Sequence, residues 1–335
     1  MRRRLVAIGA LLALFVGLSG PLPSGASATW TASDLATLVT TSLKAKTLPA
    51  SLNPKLNAAL PIATSQSALA KYMAPYTGCD ALRFPSYATN PRPCYYGDTS
   101  ATQTLVIFGG GSNLAWTVAL DAPLKAAHIR IALFEFSGCA SANIVASPTL
   151  FPQAWRNCNI WHQRLAPAII ALNPFAVLTS SGAYEAPVTD AAWVAAYADQ
   201  INQIRAGLPD ARVILMGSTP IFSKSVPTCL RDHQKSVQAC TFLETTLIKD
   251  PKTFTGNNAE PFTQILARDH DVATASGATL IETEPWLCSA GRCPAVIGSY
   301  LVYRDDRHFF HPFLVALGPV VDQALRDAGL YSSRT

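Results

Sequence analysis

From residue 104 onward, short apolar runs alternate with longer stretches in which apolar side chains recur at helical spacing. The runs at 105–109, 129–134, 176–179, 213–216 and 279–281 are dominated by Val, Ile, Leu, Ala and Phe, the composition of strands buried on both faces. The intervening periodicity predicts helices over 114–127, 161–172, 191–206, 261–274 and 312–328. Strand and helix in turn predict a parallel sheet with helices on both faces, an α/β fold of the three-layer α/β/α sandwich type. Such sheets bind ligands outside the carboxyl ends of their strands, so residues that follow an apolar run are where chemistry is expected.

The chain before that rhythm reads differently. Arg2, Arg3 and Arg4 precede an apolar run over 5–18 and the small residues Ala26, Ser27 and Ala28, the layout of a secretory signal peptide cleaved after Ala28. That run falls short of the ~20 apolar residues of a membrane span, and no later stretch reaches that length, so a released, extracellular protein is expected. Residues 31–76 carry Leu35, Leu38, Val39 and Leu43 at helical spacing, interrupted by Pro49, Pro54 and Pro61. Residues 78–103, rich in Pro, Tyr, Asn and Ser and holding Cys79 and Cys94, read as a disulfide-closed loop region. The expected organisation is a signal peptide at 1–28, an N-terminal extension at 29–103 and the main domain at 104–335.

Export changes what charge and cysteines mean. Three of the 26 Lys and Arg lie in the leader, so 23 remain against 21 Asp and Glu and the mature chain is nearly neutral. With no basic stripe interleaved with aromatics, neither nucleic acid nor an anionic membrane is an expected partner. The eight cysteines fall in neighbouring pairs, Cys79 with Cys94, Cys139 with Cys158, Cys229 with Cys240 and Cys288 with Cys293. An even count in an exported chain points to disulfides, with sequential pairing the simplest arrangement. A zinc site at Cys288 and Cys293 lacks a nearby histidine, and no cofactor is expected.

Candidate chemistry centres on TLVIFGGGSNLAW at 104–116, where a strand breaks into glycines and presents Ser112 at a helix start. The first amides of a helix have no intrahelical partner, so an oxyanion formed beside this hydroxyl meets waiting donors. Serine is also a favoured N-cap, and glycines often crowd such turns. The phosphate-loop ending Gly-Lys-Ser/Thr is absent, and Leu114 stands where the dinucleotide fingerprint and the nucleophile elbow each need glycine. Near the other end, Asp305-Asp306-Arg307-His308 supplies a carboxylate and an imidazole in Ser, Asp, His chain order. His308 is the expected general base and Asp305 its partner, with Asp306 and His311 as fallbacks. The same segment could ligate a metal, but no third histidine or spaced carboxylate completes a set.

Four segments together resemble the SGNH-type domains related to the GDSL hydrolases, in particular those fused to bacterial acyltransferase family 3 membrane proteins. They are PCYYGD before the first strand, LVIFGGGSNLAW, SGC at 137–139, and PWLCSAGRCPAVIGSYLVYRDDRH at 285–308. The resemblance spans roughly 79–325 and implies a flavodoxin-like parallel sheet, Ser112 as nucleophile, and Asp305 with His308 as an Asp-x-x-His pair. It implies oxyanion donors from the backbone at Ser112 and Gly138, and substrate contacts at Asn113 and Ser181. It further implies a secreted esterase or O-acyltransferase working on short acyl groups of extracellular glycans, alongside a membrane acyltransferase partner. Three departures stand out: Gly111 where the family has aspartate, Asn113 where many members have histidine, and Phe309-Phe310 after the histidine. The family's third oxyanion donor, an asparagine, has no clear counterpart in LTSSGAYE, where Ser181 or the Gly182 amide could substitute. A relative that kept the scaffold and binds glycan without chemistry is the rival expectation.

Overall fold

The computed structural model describes residues 30–145, 155–180, 189–248 and 260–331. The expected signal peptide, Ser181 and Gly182 lie outside these residues. In chain order come the helices α1 (Ala32–Ser42), α2 (Leu56–Thr64), α3 (Gln66–Met73) and α4 (Ser86–Thr89), then β1 (Cys94–Gly97) and β2 (Thr104–Gly109). The alternation that follows is α5 (Gly111–Ala126), β3 (Arg130–Glu135), α6 (Trp155–Ala171), β4 (Ala176–Ser180), α7 (Asp190–Gly207), β5 (Arg212–Met216) and α8 (Val226–Asp232). Three two-residue strands, β6 (Phe242–Leu243), β7 (Leu247–Ile248) and β8 (Glu260–Pro261), lead to α9 (Phe262–Ser276), β9 (Thr279–Ile281) and α10 (Glu284–Leu287). Short strands β10 (Arg292–Cys293), β11 (Val296–Ile297) and β12 (Tyr300–Leu301) precede the last helix, α11 (His311–Asp327).

Six strands build one sheet in the order β1-β3-β2-β4-β5-β9, and every neighbouring pair is parallel except β1 with β3. The apolar runs are its middle: every residue of β2 and β4 is buried, as a strand covered on both faces requires. Right-handed crossovers then decide the layers. The chain steps from β2 through α5 to β3 in one direction, and from β3 through α6 to β4 and through α7 to β5 in the other, so α5 lies on one face and α6 and α7 on the opposite one. Helix α11 joins α5, and α9 packs on α7. Gly318 permits the first of these contacts, because a Cβ there would sit 2.3 Å from the Ala119 carbonyl oxygen. The three-layer α/β/α sandwich with its largely parallel sheet is therefore present, and its strands fall within a residue of the apolar runs.

The antiparallel edge strand β1 is the difference from the expected pattern: part of the stretch read as loop pairs along β3, Cys94 opposite Leu133 and Gly97 opposite Arg130. Upstream, α1 is capped by Thr31 and Asp34, each accepting the other's backbone N–H, and buries Leu35 and Val39. Asn53 bridges to Tyr300, its N–H donating to the Ser299 carbonyl at 2.7 Å, which seats this segment on the chain's C-terminal part. All four disulfides follow the sequential pairing, and no described cysteine is free. Among the described residues, no helix is long and apolar enough to cross a membrane.

Candidate active site

Strand β2 sits where the crossovers reverse, so the crevice of the sheet opens at its carboxyl end. That end is Gly109, with φ +133°; a Cβ there would lie 2.0 Å from Ser141 Oγ and 2.3 Å from Asn113 Nδ2. Glycine alone fits both the conformation and the space. Gly110 then caps α5, and Ser112 becomes the second residue of the helix, half-buried, its N–H among the first-turn amides without an intrahelical acceptor. Ser112 Oγ lies 2.9 Å from Ser180 Oγ at the end of β4. Among the described residues it forms no hydrogen bond with His308, a contact that in unliganded sites often tightens only when substrate arrives.

The Asp-x-x-His segment forms a closed unit. Asp305 Oδ1 accepts the backbone N–H groups of Arg307 at 2.9 Å and His308 at 2.8 Å, and Asp305 Oδ2 lies 2.8 Å from His308 Nδ1. Burial by itself would raise the Asp305 pKa, but His308, through charge and hydrogen bonds, and the Arg304 guanidinium outweigh it and hold this carboxyl well below the usual range. An ionised acceptor at Nδ1 places the imidazole proton there and leaves Nε2 as the basic nitrogen. Asp306 instead pairs with Arg307 at 3.0 Å and takes no part in orienting His308. His311 stacks on Tyr72, and burial together with Arg304 lowers its pKa to about 4, so it is neutral at neutral pH. Thus the structure places Asp305 rather than Asp306 on the imidazole.

Gly138, at φ +78°, follows β3 at the same edge, and its N–H has no partner among the described residues. The loop around it is held from three sides. The Ser137 N–H donates to Asp80 Oδ1 at 2.9 Å, Cys139 is bonded to Cys158, and His162 Nε2 donates to the Ala140 carbonyl at 2.8 Å. Two unspent amides, Ser112 and Gly138, therefore stand at neighbouring strand ends, an arrangement able to receive a developing negative charge.

A second carboxylate pair lies just beneath. Glu135 is 3 % exposed, accepts the Ser137 hydroxyl at 3.2 Å and neighbours Asp80. Burial and then the Asp80 charge push its pKa up to about 8, only partly offset by Ser137, Arg83 and Arg304. The folded state thus holds a proton that the unfolded chain, at its ordinary value of 4.5, releases. The sign is that of a raised carboxyl: stability falls as pH rises between the two values and levels off above about 8. Glu135→Gln should therefore raise Tm over wild type by a margin that grows from pH 5 to 8; a constant difference in thermal melts across that range counts against it.

The sequence pointed to Ser112, Gly138, Asp305 and His308, and the structure gathers the first two at the ends of β2 and β3. Asn113 lies elsewhere than expected: it is 0 % exposed, its Oδ1 accepts the Ser180 N–H at 2.8 Å, and its Nδ2 donates to Gly110 O and Ser141 Oγ, each at 3.3 Å. It braces the corner between β2, α5 and β4. Ser180, Asp80 and Glu135 were not singled out from the sequence; a glutamate directly after the four apolar residues of β3 was the available signal for the last.

The model for the SGNH domain fused to AT3 domains matches residues 78–323. The chain belongs to the SGNH family. Among solved structures, it resembles the periplasmic domain of a lipopolysaccharide acetyltransferase from Salmonella ser. Paratyphi A, with 14% identity over 80% of this chain and 98% of that one and a TM-score of 0.56. A carbohydrate acetylesterase from Sinorhizobium meliloti matches with 13% identity over 68% of this chain and 100% of that one, at a TM-score of 0.44. The first likeness shows the shared SGNH fold. No curated protein matches the sequence.

One departure from the SGNH pattern has a local explanation. Phe309 and Phe310 are buried, and Phe309 packs on Trp116, Tyr303 and Phe313, so this aromatic pair anchors the residues that follow His308. Gly111 has room for a side chain, a Cβ there meeting only Ser137 Oγ at 3.8 Å, so the absence of the family's aspartate is not forced by space. Each metal-sized His, Cys, Asp or Glu group among the described residues includes two cysteines already joined to each other, which leaves no thiolate to bind an ion.

Proposed function

We propose that this SGNH protein is a serine-dependent esterase or O-acyltransferase that acts on short acyl groups, acetyl foremost, of extracellular glycans. The observation that carries the reading is the Asp305–His308 pair at 2.8 Å, oriented with its basic nitrogen away from the carboxylate. In the reaction Ser112 Oγ attacks the acyl carbonyl while its proton passes to His308 Nε2, and the carbonyl oxygen becomes an oxyanion facing the Ser112 and Gly138 amides. Collapse breaks the bond to the leaving alkoxide, which takes the proton from His308. Water or a sugar hydroxyl, deprotonated by the same imidazole, then releases the acyl group from Ser112. The glycan direction is supported by the family's ester and acyl-transfer chemistry and by the resemblance to the lipopolysaccharide acetyltransferase domain. Export is supported by the leader at 1–28 and by the four disulfides, and a membrane acyltransferase is the fitting acyl donor.

One observation favours the rival, a glycan-binding protein without turnover: the Ser112 hydroxyl is engaged with Ser180 and not with His308. Purified protein incubated with p-nitrophenyl acetate, a long-chain p-nitrophenyl ester and an acetylated polysaccharide separates the readings. Hydrolysis of the short ester and release or transfer of acetate from the glycan are expected. Preference for the long chain would point to a lipase, and glycan binding without turnover would establish the rival.

A further inference from the structure

We propose that the Ser180 hydroxyl is the third oxyanion donor of this site and the side-chain counterpart of the two backbone amides; the inference rests on the acyl-transfer reading above. Ser180 closes β4, the strand beside β2, and is 2 % exposed. Both of its backbone groups are spent. Its N–H donates to Asn113 Oδ1 at 2.8 Å, and its carbonyl accepts the Tyr197 hydroxyl at 2.6 Å, with Asn113 and Tyr197 each 0 % exposed. The residue is fixed from both sides, and the one donor it has left is the side-chain O–H. Among the described residues that hydroxyl has one partner, Ser112 Oγ at 2.9 Å.

The roles of the two hydroxyls follow from proton counting. Once His308 Nε2 accepts the Ser112 proton, Ser112 Oγ is an acceptor, and Ser180 O–H is the group positioned to donate to it. As Ser112 Oγ bonds to the acyl carbon, the negative charge moves to the carbonyl oxygen on that same carbon. Rotation of the Ser180 hydroxyl about its own Cβ–Oγ bond carries its hydrogen to that oxygen. Ser180 gives a hydrogen bond and no proton, so the proton balance of the reaction is unchanged. A donor held by two buried hydrogen bonds before substrate arrives stabilises the charge without reorganising, which is why such donors act strongly in the transition state. The bonded serine pair that favours a non-catalytic reading is, in this account, the resting form of the oxyanion site.

The test uses the full-length protein with p-nitrophenyl acetate, Tm by thermal melting, and the inhibition constant of a boronic acid that mimics the tetrahedral adduct. Ser180→Ala is expected to lower kcat by about 10²–10³-fold with little change in KM, and to weaken the boronate by a similar factor. Its Tm should stay close to wild type, since both backbone bonds remain. Ser180→Thr, which keeps a hydroxyl, is expected to recover most of the rate and the boronate affinity. A Ser180→Ala protein within a few-fold of wild-type kcat, or one that loses rate but binds boronate as tightly as before, overturns the proposal. If Ser180→Ala does not fold, Ser180→Thr decides: retained rate and boronate binding support the donor role, and their loss in a folded protein removes it. A wild type that neither cleaves esters nor binds boronate removes the acyl-transfer reading and this donor together, whereas an active wild type with an unaffected alanine variant removes the donor alone.

Discussion

Ser112→Ala is expected to eliminate ester turnover and labelling by a fluorophosphonate probe, a loss on the order of 10⁶-fold in kcat if the nucleophile and its base act as one unit. The expectation follows from position. Ser112 occupies the first turn of α5, and the apolar β2 ends directly beneath it. Its hydroxyl stands beside the first-turn amides at the carboxyl end of β2, whereas Ser180, buried and already bound through both backbone groups, lacks the exposure to attack. His308→Ala should suppress labelling nearly as far, because an unactivated hydroxyl is a poor nucleophile. Substantial labelling of the Ser112→Ala protein, mapped by peptide mass, would assign the nucleophile elsewhere.

Asp305→Asn should lower kcat by about 10⁴-fold while leaving KM close to wild type. The carboxylate accepts three hydrogen bonds, two from backbone N–H groups and one from His308 Nδ1. An amide has one accepting oxygen, and an NH2 turned toward the ring would force the tautomer whose Nε2 carries the proton and cannot act as a base. Because the Asp305 pKa lies below the usual range, its contribution to stability is present above the unfolded value of ~3.9 and is lost as pH falls through the lower folded one. The variant should therefore melt below wild type at neutral pH, with the gap closing in strong acid. Asp306→Asn is the control: its side chain pairs with the partly buried Arg307 rather than with His308, and its rate should hardly change. Equal effects from the two substitutions would refute the pairing.

The architecture was legible because its determinants are local and redundant. A parallel strand buried on both faces is apolar through its middle, and β2, β4 and β5 are written that way, with polar residues only at their ends. The glycines ahead of Ser112 and the Asp305–His308 spacing were legible for a similar reason, since each unit's geometry is set within a few residues. β1 was not, because CYYG is four residues of a half-exposed edge strand preceded by Pro91 and Pro93, and such a strand needs no apolar run. The contacts of Ser180 and Asn113 were also out of reach: they join residues 67 apart in the chain, and nothing in LTSSGAYE marks the residue at which the strand stops. Asp80 bracing Ser137 across 57 residues is illegible on the same ground.

The order of the disulfides bears on how the molecule is made. Eight cysteines allow roughly a hundred complete pairings, most of them traps that need reduction and reshuffling to escape. Here each bond spans 5 to 19 residues, and none encloses or interlocks with another. As the chain emerges from its N-terminus, every cysteine meets its native partner before the next pair appears. Vectorial synthesis in an oxidising space thus reaches the correct set with an oxidant alone, whereas refolding the reduced full-length chain, with all eight thiols present at once, forfeits that advantage and calls for an isomerase or a redox buffer.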